Sequence, residues 1–168
     1  NYPGYLSVDK FDPRADIELD ISDLSGFANN SVSEILASHV FEHLNPYHAL
    51  AILTEWRRVL KPGGKLIMEM PDIEKLCERF VTANTGDRYG ILNAIYGSVN
   101  TTDQGTPDQI TSPHLFGWWP QSLFDHLTNS GYVNIEFMDE QIPHPQSNLR
   151  VEACNPISSE ITPTVNRH

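Results

Sequence analysis

Residues 33–72, SEILASHVFEHLNPYHALAILTEWRRVLKPGGKLIMEMPD, read as one strand–helix–strand unit, and this unit decides the fold. Residues 35–38 are a short apolar run suited to a buried parallel strand. Residues 46–60 then carry apolar side chains at three- and four-residue steps: Ala49, Leu50, Ile52, Leu53, Trp56, Val59 and Leu60. Glu55, Arg57, Arg58 and Lys61 take the other side, so the helix packs one face on a sheet. Asn45 is placed to cap it, with Pro46 at the first helical position, where a missing N–H costs nothing. Lys61-Pro62-Gly63-Gly64 stops it, because a Pro-Gly pair supplies the fixed negative φ and the free positive φ of a tight turn. Residues 65–70 form a second strand, and Pro71-Asp72 opens a further helix. Two strands joined by a helix of this length run parallel through a right-handed crossover, so the class is α/β.

At 168 residues and 39% hydrophobic content the chain can build one sizeable core. Its formal net charge of -11 argues against nucleic acid and anionic membrane as partners, since phosphate is held by basic faces. No apolar run reaches the length of a membrane span. Cys77 and Cys154 fall inside helical and strand patterns and read as small buried hydrophobes in a reducing, cytoplasmic setting.

Working outward, residues 5–9 (YLSVD) read as a strand ending in Asp9, and residues 16–20 (DIELD) as another ending in Asp20. Asp20 could equally cap the turn ISDLSG. Residues 72–81 form a helix with Ile73, Leu76, Cys77 and Phe80 inward. Periodicity then fails over residues 82–119, apart from a short helix near 91–96. A stretch of this length is read as a substrate lid, with Tyr89, Tyr96, His114, Phe116, Trp118 and Trp119 as its wall. For Phe116 and the tryptophans the competing reading is hydrophobic plugs that pack the lid on the sheet. Residues 120–130 form the last helix, started by Pro120 and closed by Gly131. Strands follow at 132–138 and 148–154, and residues 155–168 have no pattern. The domain is expected to span 1–154, followed by a frayed tail.

His39-Val40-Phe41-Glu42-His43 matches HxxEH, the inverted zinc-peptidase motif. That chemistry needs a long helix presenting both histidines on one face, with Glu between them as base. Here a strand ends at Ser38 and Pro46 restarts the helix, which leaves about one turn. No metal is therefore expected, and His43 and Glu42 read as braces of a loop.

The segments ILASHVFEHL, EWRRVLKPGG and KLIMEMPD resemble the fourth strand, its helix and the fifth strand of class I S-adenosylmethionine-dependent methyltransferases, type 11-like. The resemblance covers most of residues 5–154, and RVLKPGG is its most specific part. It implies a Rossmann-like sheet, mostly parallel with an antiparallel C-terminal strand pair, in the order 3-2-1-4-5-7-6. The family's first strand and Gly-rich turn are missing from this sequence, which puts tight cofactor binding in question and leaves an exposed sheet edge through which a homodimer could form. By the resemblance, S-adenosylmethionine is the cofactor, with Asp9 on its ribose, Asp20 and Ile21 on adenine, and Ser38 and His39 flanking it. The acceptor would be a small molecule, a sugar or secondary metabolite, with His114 as first and His39 as second candidate for a base. A non-catalytic assembly module is the main alternative, and a zinc hydrolase using HxxEH the lesser one.

Overall fold

The structure is a computed structural model and describes residues 3–97, 113–138 and 147–157. Its centre is the unit read from the sequence. Strand β1 (Val32–Ser38) is followed by two single 3-10 turns, then helix α1 (Ala49–Val59) and strand β2 (Leu60–Pro71). Asn45 does cap, but it caps the 3-10 turn Pro46–His48, accepting from the Tyr47 N–H, and α1 begins one turn later than the apolar spacing implies. Helix α1 buries Ala49, Ile52, Leu53, Trp56 and Val59, whereas Leu50 faces solvent. Strands β1 and β2 are parallel. Val32 pairs with Leu60 and Glu34 with Lys65, so residues 61–64 bulge out of the ladder instead of standing as a separate turn. Gly63 has φ 74° there, the left-handed region that a glycine enters without a Cβ clash.

Helices α2 (Ile73–Thr82), α3 (Thr85–Tyr96) and α4 (Pro120–Asn129) follow, then strands β3 (Val133–Met138) and β4 (Asn148–Cys154). The sheet order is β1-β2-β4-β3, with β4 antiparallel to both β2 and β3. This reproduces the 4-5-7-6 half of the order implied by the resemblance and makes the fold α/β and Rossmann-like. The main core lies between α1, α4 and the sheet, with Leu53, Val59, Leu60, Met68, Met70, Leu123 and Leu127 fully inaccessible. A second, smaller cluster of Leu76, Ile91 and Ala94 joins α2 to α3.

Two expectations need correction. Residues 5–9 and 16–20 are not strands. They meet at one parallel bridge, Val8 with Ile17, through Asp9 N–H to Ile17 O, Ile17 N–H to Ser7 O and Leu19 N–H to Asp9 O. A two-stranded pair by itself is marginal, and Asp9 and Asp20 divert nearby backbone and hydroxyl donors into local turns, while Asp16 takes the Ser7 N–H and hydroxyl across the pair. The cysteines are not buried either: Cys77 is exposed and Cys154 partly so. Helix α2 leans mainly on α3, so its buried stripe narrows to Leu76. No helix among the described residues is long and apolar enough to cross a membrane.

Between residues 4–8 and β1 lies an open groove of about 800 Å³, lined by Val8, Ile21, Leu24, Val32, Leu36 and Ser38 among others. Residues 98–112, much of the anticipated lid, and 158–168, most of the anticipated tail, lie outside the described residues.

Candidate active site

The carboxyl end of β1 positions the first two candidate cofactor residues. Ser38 lies opposite Glu69 in the β1–β2 register and lines the groove. At His39 the chain turns with φ 53°, and its N–H donates to Glu69 O at 2.8 Å. Left-handed backbone at a non-glycine residue carries strain that surrounding contacts must hold. His39 has such contacts. Its Nδ1 lies 3.2 Å from Glu42 Oε1 and its Nε2 accepts from Asn148 Nδ2 at 3.2 Å, which places the ring hydrogen on Nδ1.

Ile21 lines the same groove, and its carbonyl accepts from the Trp56 indole at 2.7 Å, tying the 20–24 loop to α1. Asp9 Oδ1 accepts from the N–H groups of Phe11 and Asp12 at 2.7 and 2.9 Å. Asp20 is more fully engaged: Oδ1 takes the Ser22 N–H and hydroxyl, and Oδ2 takes Lys10 Nζ at 3.0 Å. The Ser22 hydroxyl, then the Ser22 N–H, then Lys10 hold the Asp20 carboxyl down to about 2. A group whose folded pKa lies below its ordinary 3.8 contributes stability above that value and loses it as pH falls towards 2. Asp20→Asn is therefore expected to flatten the acid limb of a stability-against-pH curve between about pH 4 and pH 2. Because the side chain is 42% exposed, solvent screening keeps the change small. Urea midpoints across that range check it; an unchanged acid limb would remove the turn-capping role.

Beyond His39 the chain makes one 3-10 turn, Phe41–His43, which is too short for a helical HxxEH arrangement. The segment that begins at Pro113 lands on this turn. Leu115 N–H and Phe116 N–H both donate to Glu42 O, at 2.8 and 3.3 Å, and His114 N–H donates to Tyr96 O at 3.0 Å. Glu42 is 2% exposed, His114 is largely buried, and their rings and carboxylate gather with His43. Burial, ahead of the opposing attraction of Glu42, pushes the His114 pKa below the ordinary histidine value and favours its neutral ring.

Trp118 and Phe116 are plugs. Trp118 is 1% exposed and packs against Phe41, Phe116 and His126, with centroids 4.8, 4.7 and 5.0 Å away. Tyr89 and Tyr96, in contrast, are exposed. Sequence reading passes over the network behind the site. Glu69, wholly buried, meets Arg150 at 3.3 Å and Asn148 at 3.5 Å, and Asn148 in turn reaches His39. The one sequence signal for it is a glutamate inside the otherwise apolar strand LIMEM.

Residues 7–68 match the family model of a methyltransferase domain. No curated protein matches the chain. Among solved structures, a possible exported protein from Bordetella parapertussis superposes with TM-score 0.58 at 11% identity, over 84% of this chain and 44% of that one. A SAM-dependent methyltransferase from Archaeoglobus fulgidus gives 0.53 at 12% identity, over 82% and 66%. One from Methanosarcina mazei gives 0.52 at 15% identity, over 83% and 66%. The chain thus spans between 44% and 66% of the length of these structures, and at such identities the likeness concerns the fold. Taken with the match over residues 7–68 and the β1-β2-β4-β3 sheet, it shows that the chain has the Rossmann-like fold of these methyltransferases.

Proposed function

We propose that this chain takes part in methyl transfer from S-adenosylmethionine to a small-molecule acceptor, a sugar or secondary metabolite, in the cytoplasm. One observation carries the reading: the matched segment 7–68 contains Asp9, Asp20, Ile21, Ser38 and His39, and within it Ile21 and Ser38, the residue at the carboxyl end of β1, border one groove that runs along that strand. Ligands of open α/β sheets bind at that end of the strands. The groove's volume also lies within the range of small-molecule sites.

The residues fit the cofactor in part. Asp9 Oδ2 is the oxygen not used in the local turn and would serve the ribose, and the Ile21 backbone would serve adenine. Asp20 would have to release Lys10 first. When bound, the cofactor supplies a methyl group already activated by its positive sulfur. The protein's task is then alignment more than acid–base power. Ser38 and His39 border the donor side, and the Phe41–His43 turn, with the lid segment on it, borders the acceptor side. Should the acceptor lose a proton, His114 is the first base and His39 the second. The open edge of β1 is where a second copy would pair, and light scattering would read a doubled mass.

The test is calorimetric titration of S-adenosylmethionine and its demethylated product into this chain and into a version with a strand and Gly-rich turn fused ahead of residue 1. Binding weakened at least about 10-fold by Asp9→Ala is the expected result, a loss of about 1.4 kcal/mol. Absence of binding in both forms would sink the enzyme reading and leave a scaffold of methyltransferase fold.

A further inference from the structure

The lid segment brings three potential ligands to one point. One ligating atom each from Glu42, His43 and His114 lies within 4.8 Å of the other two, and His114 Nε2 stands 4.0 Å from Glu42 Oε1. Both rings are oriented from behind. His43 Nδ1 lies 3.2 Å from Pro113 O, and His114 Nδ1 lies 3.2 Å from Ile95 O. A carbonyl oxygen can only accept, so in each neutral ring Nδ1 carries the hydrogen and Nε2 is left with the lone pair. Backbone carbonyls in this role are the usual outer support of metal-bound histidines.

Glu42 adds the decisive feature. Its side chain is 98% out of solvent, yet Oε2 has no hydrogen-bond partner among the described residues, while Oε1 meets only His39 within hydrogen-bond distance. A buried carboxylate oxygen without a donor is costly and calls for a cation. The cavity beside Glu42 and His114, about 10 Å³, is otherwise lined by apolar side chains and backbone of Pro71, Ile73, Leu76 and Ala94. Apart from His114, no side chain in that lining can donate a hydrogen bond.

We propose that Glu42, His43 and His114 form a binding site for a divalent transition-metal cation, zinc(II) or a similar ion, with two imidazole nitrogens and one carboxylate oxygen as ligands. Ligand distances near 2.1 Å would set these atoms about 3.4 Å apart, so side-chain shifts of around an ångström complete the set. Three protein ligands leave a position for water or an acceptor oxygen. The site is not the helical HxxEH arrangement. His39 stays outside, and a histidine from the lid takes its place. With the ion bound, the His114 Nε2 lone pair would be occupied, and His39 would be the remaining candidate base. The inference does not rest on methyl transfer.

The test is titration of the folded, metal-free chain with zinc(II), followed by calorimetry, and with cobalt(II), followed by visible absorption. One equivalent bound and a d–d band in the visible are the expected results. His43→Ala, at a partly exposed position, and His114→Gln should each weaken binding at least 100-fold and abolish the band. The exposed His48→Ala should leave both unchanged, and circular dichroism of each variant confirms folding. Zinc uptake that is substoichiometric, or that His43→Ala leaves intact, would overturn the site. Neither result depends on whether the chain binds S-adenosylmethionine.

Discussion

Trp118→Ala is expected to destabilise the chain by about 3–5 kcal/mol, the range for removing a large aromatic side chain from a packed interior. The indole is 1% exposed and sits where three elements meet: Phe41 of the 3-10 turn, Phe116 of the lid segment and His126 of α4. Its backbone is also tied to the start of α2, with Trp118 O accepting from the Ile73 N–H and Asp72 bridging Trp118. No small shift can refill a void bounded by the 3-10 turn, the Phe116 segment and α4. For a domain of this size the loss corresponds to a fall in Tm of roughly 6–20 °C. Trp118→Phe should lose far less. The indole Nε1 is buried without a partner among the described residues, so exchange for phenyl removes an unpaired donor along with some volume. Thermal unfolding of the pair checks this. Equal losses would mean that the indole N–H, rather than ring packing, holds the lid.

Arg150→Met is the second large effect, expected at about 3–5 kcal/mol. Glu69 is 0% exposed, and Arg150 Nη1 at 3.3 Å is its cationic partner; among the described residues the other side-chain contact within hydrogen-bond reach is Asn148 Nδ2, at 3.5 Å. Arg150 also joins Glu152 at 3.2 Å, and Glu152 joins Lys65 at 2.8 Å, so it links a buried carboxylate to a surface chain of charges. Removing the guanidinium strands a charge in the sheet. Removing both ends does not, and the double variant Glu69→Met with Arg150→Met should recover most of the loss. Urea unfolding of wild type, both single variants and the double variant gives the coupling directly. A coupling under about 1 kcal/mol would reduce the pair to the worth of a surface ion pair. The effect reaches the site, because Asn148 beside this pair holds His39 Nε2 and Glu69 O accepts the His39 N–H.

The reach of the sequence follows from which forces are local. Helical spacing in 49–59, a proline start at 120 and glycines after turns act within a few residues, so β1, α1, β2 and α4 were legible from the sequence. That Asp20 caps the turn ISDLSG was one of two readings the sequence offered and is what its Ser22 bonds show, whereas its ion pair with Lys10 was not legible, and these donors compete with any ligand for the same carboxylate. The strands read at 5–9 and 16–20 shrink to one bridge because a strand depends on its neighbours, which its own pattern does not report. Cys77 faces solvent for a related reason: α2 buries a stripe only as wide as α3 covers. Tertiary structure alone decided that Trp118 is a buried plug. It also put His114 beside Glu42 and His43, with His43 reaching the lid at Pro113 across 70 residues of chain. Spacing along the sequence encodes which face a side chain takes, whereas which distant face it meets is settled only when the core closes around Phe41 and Trp118.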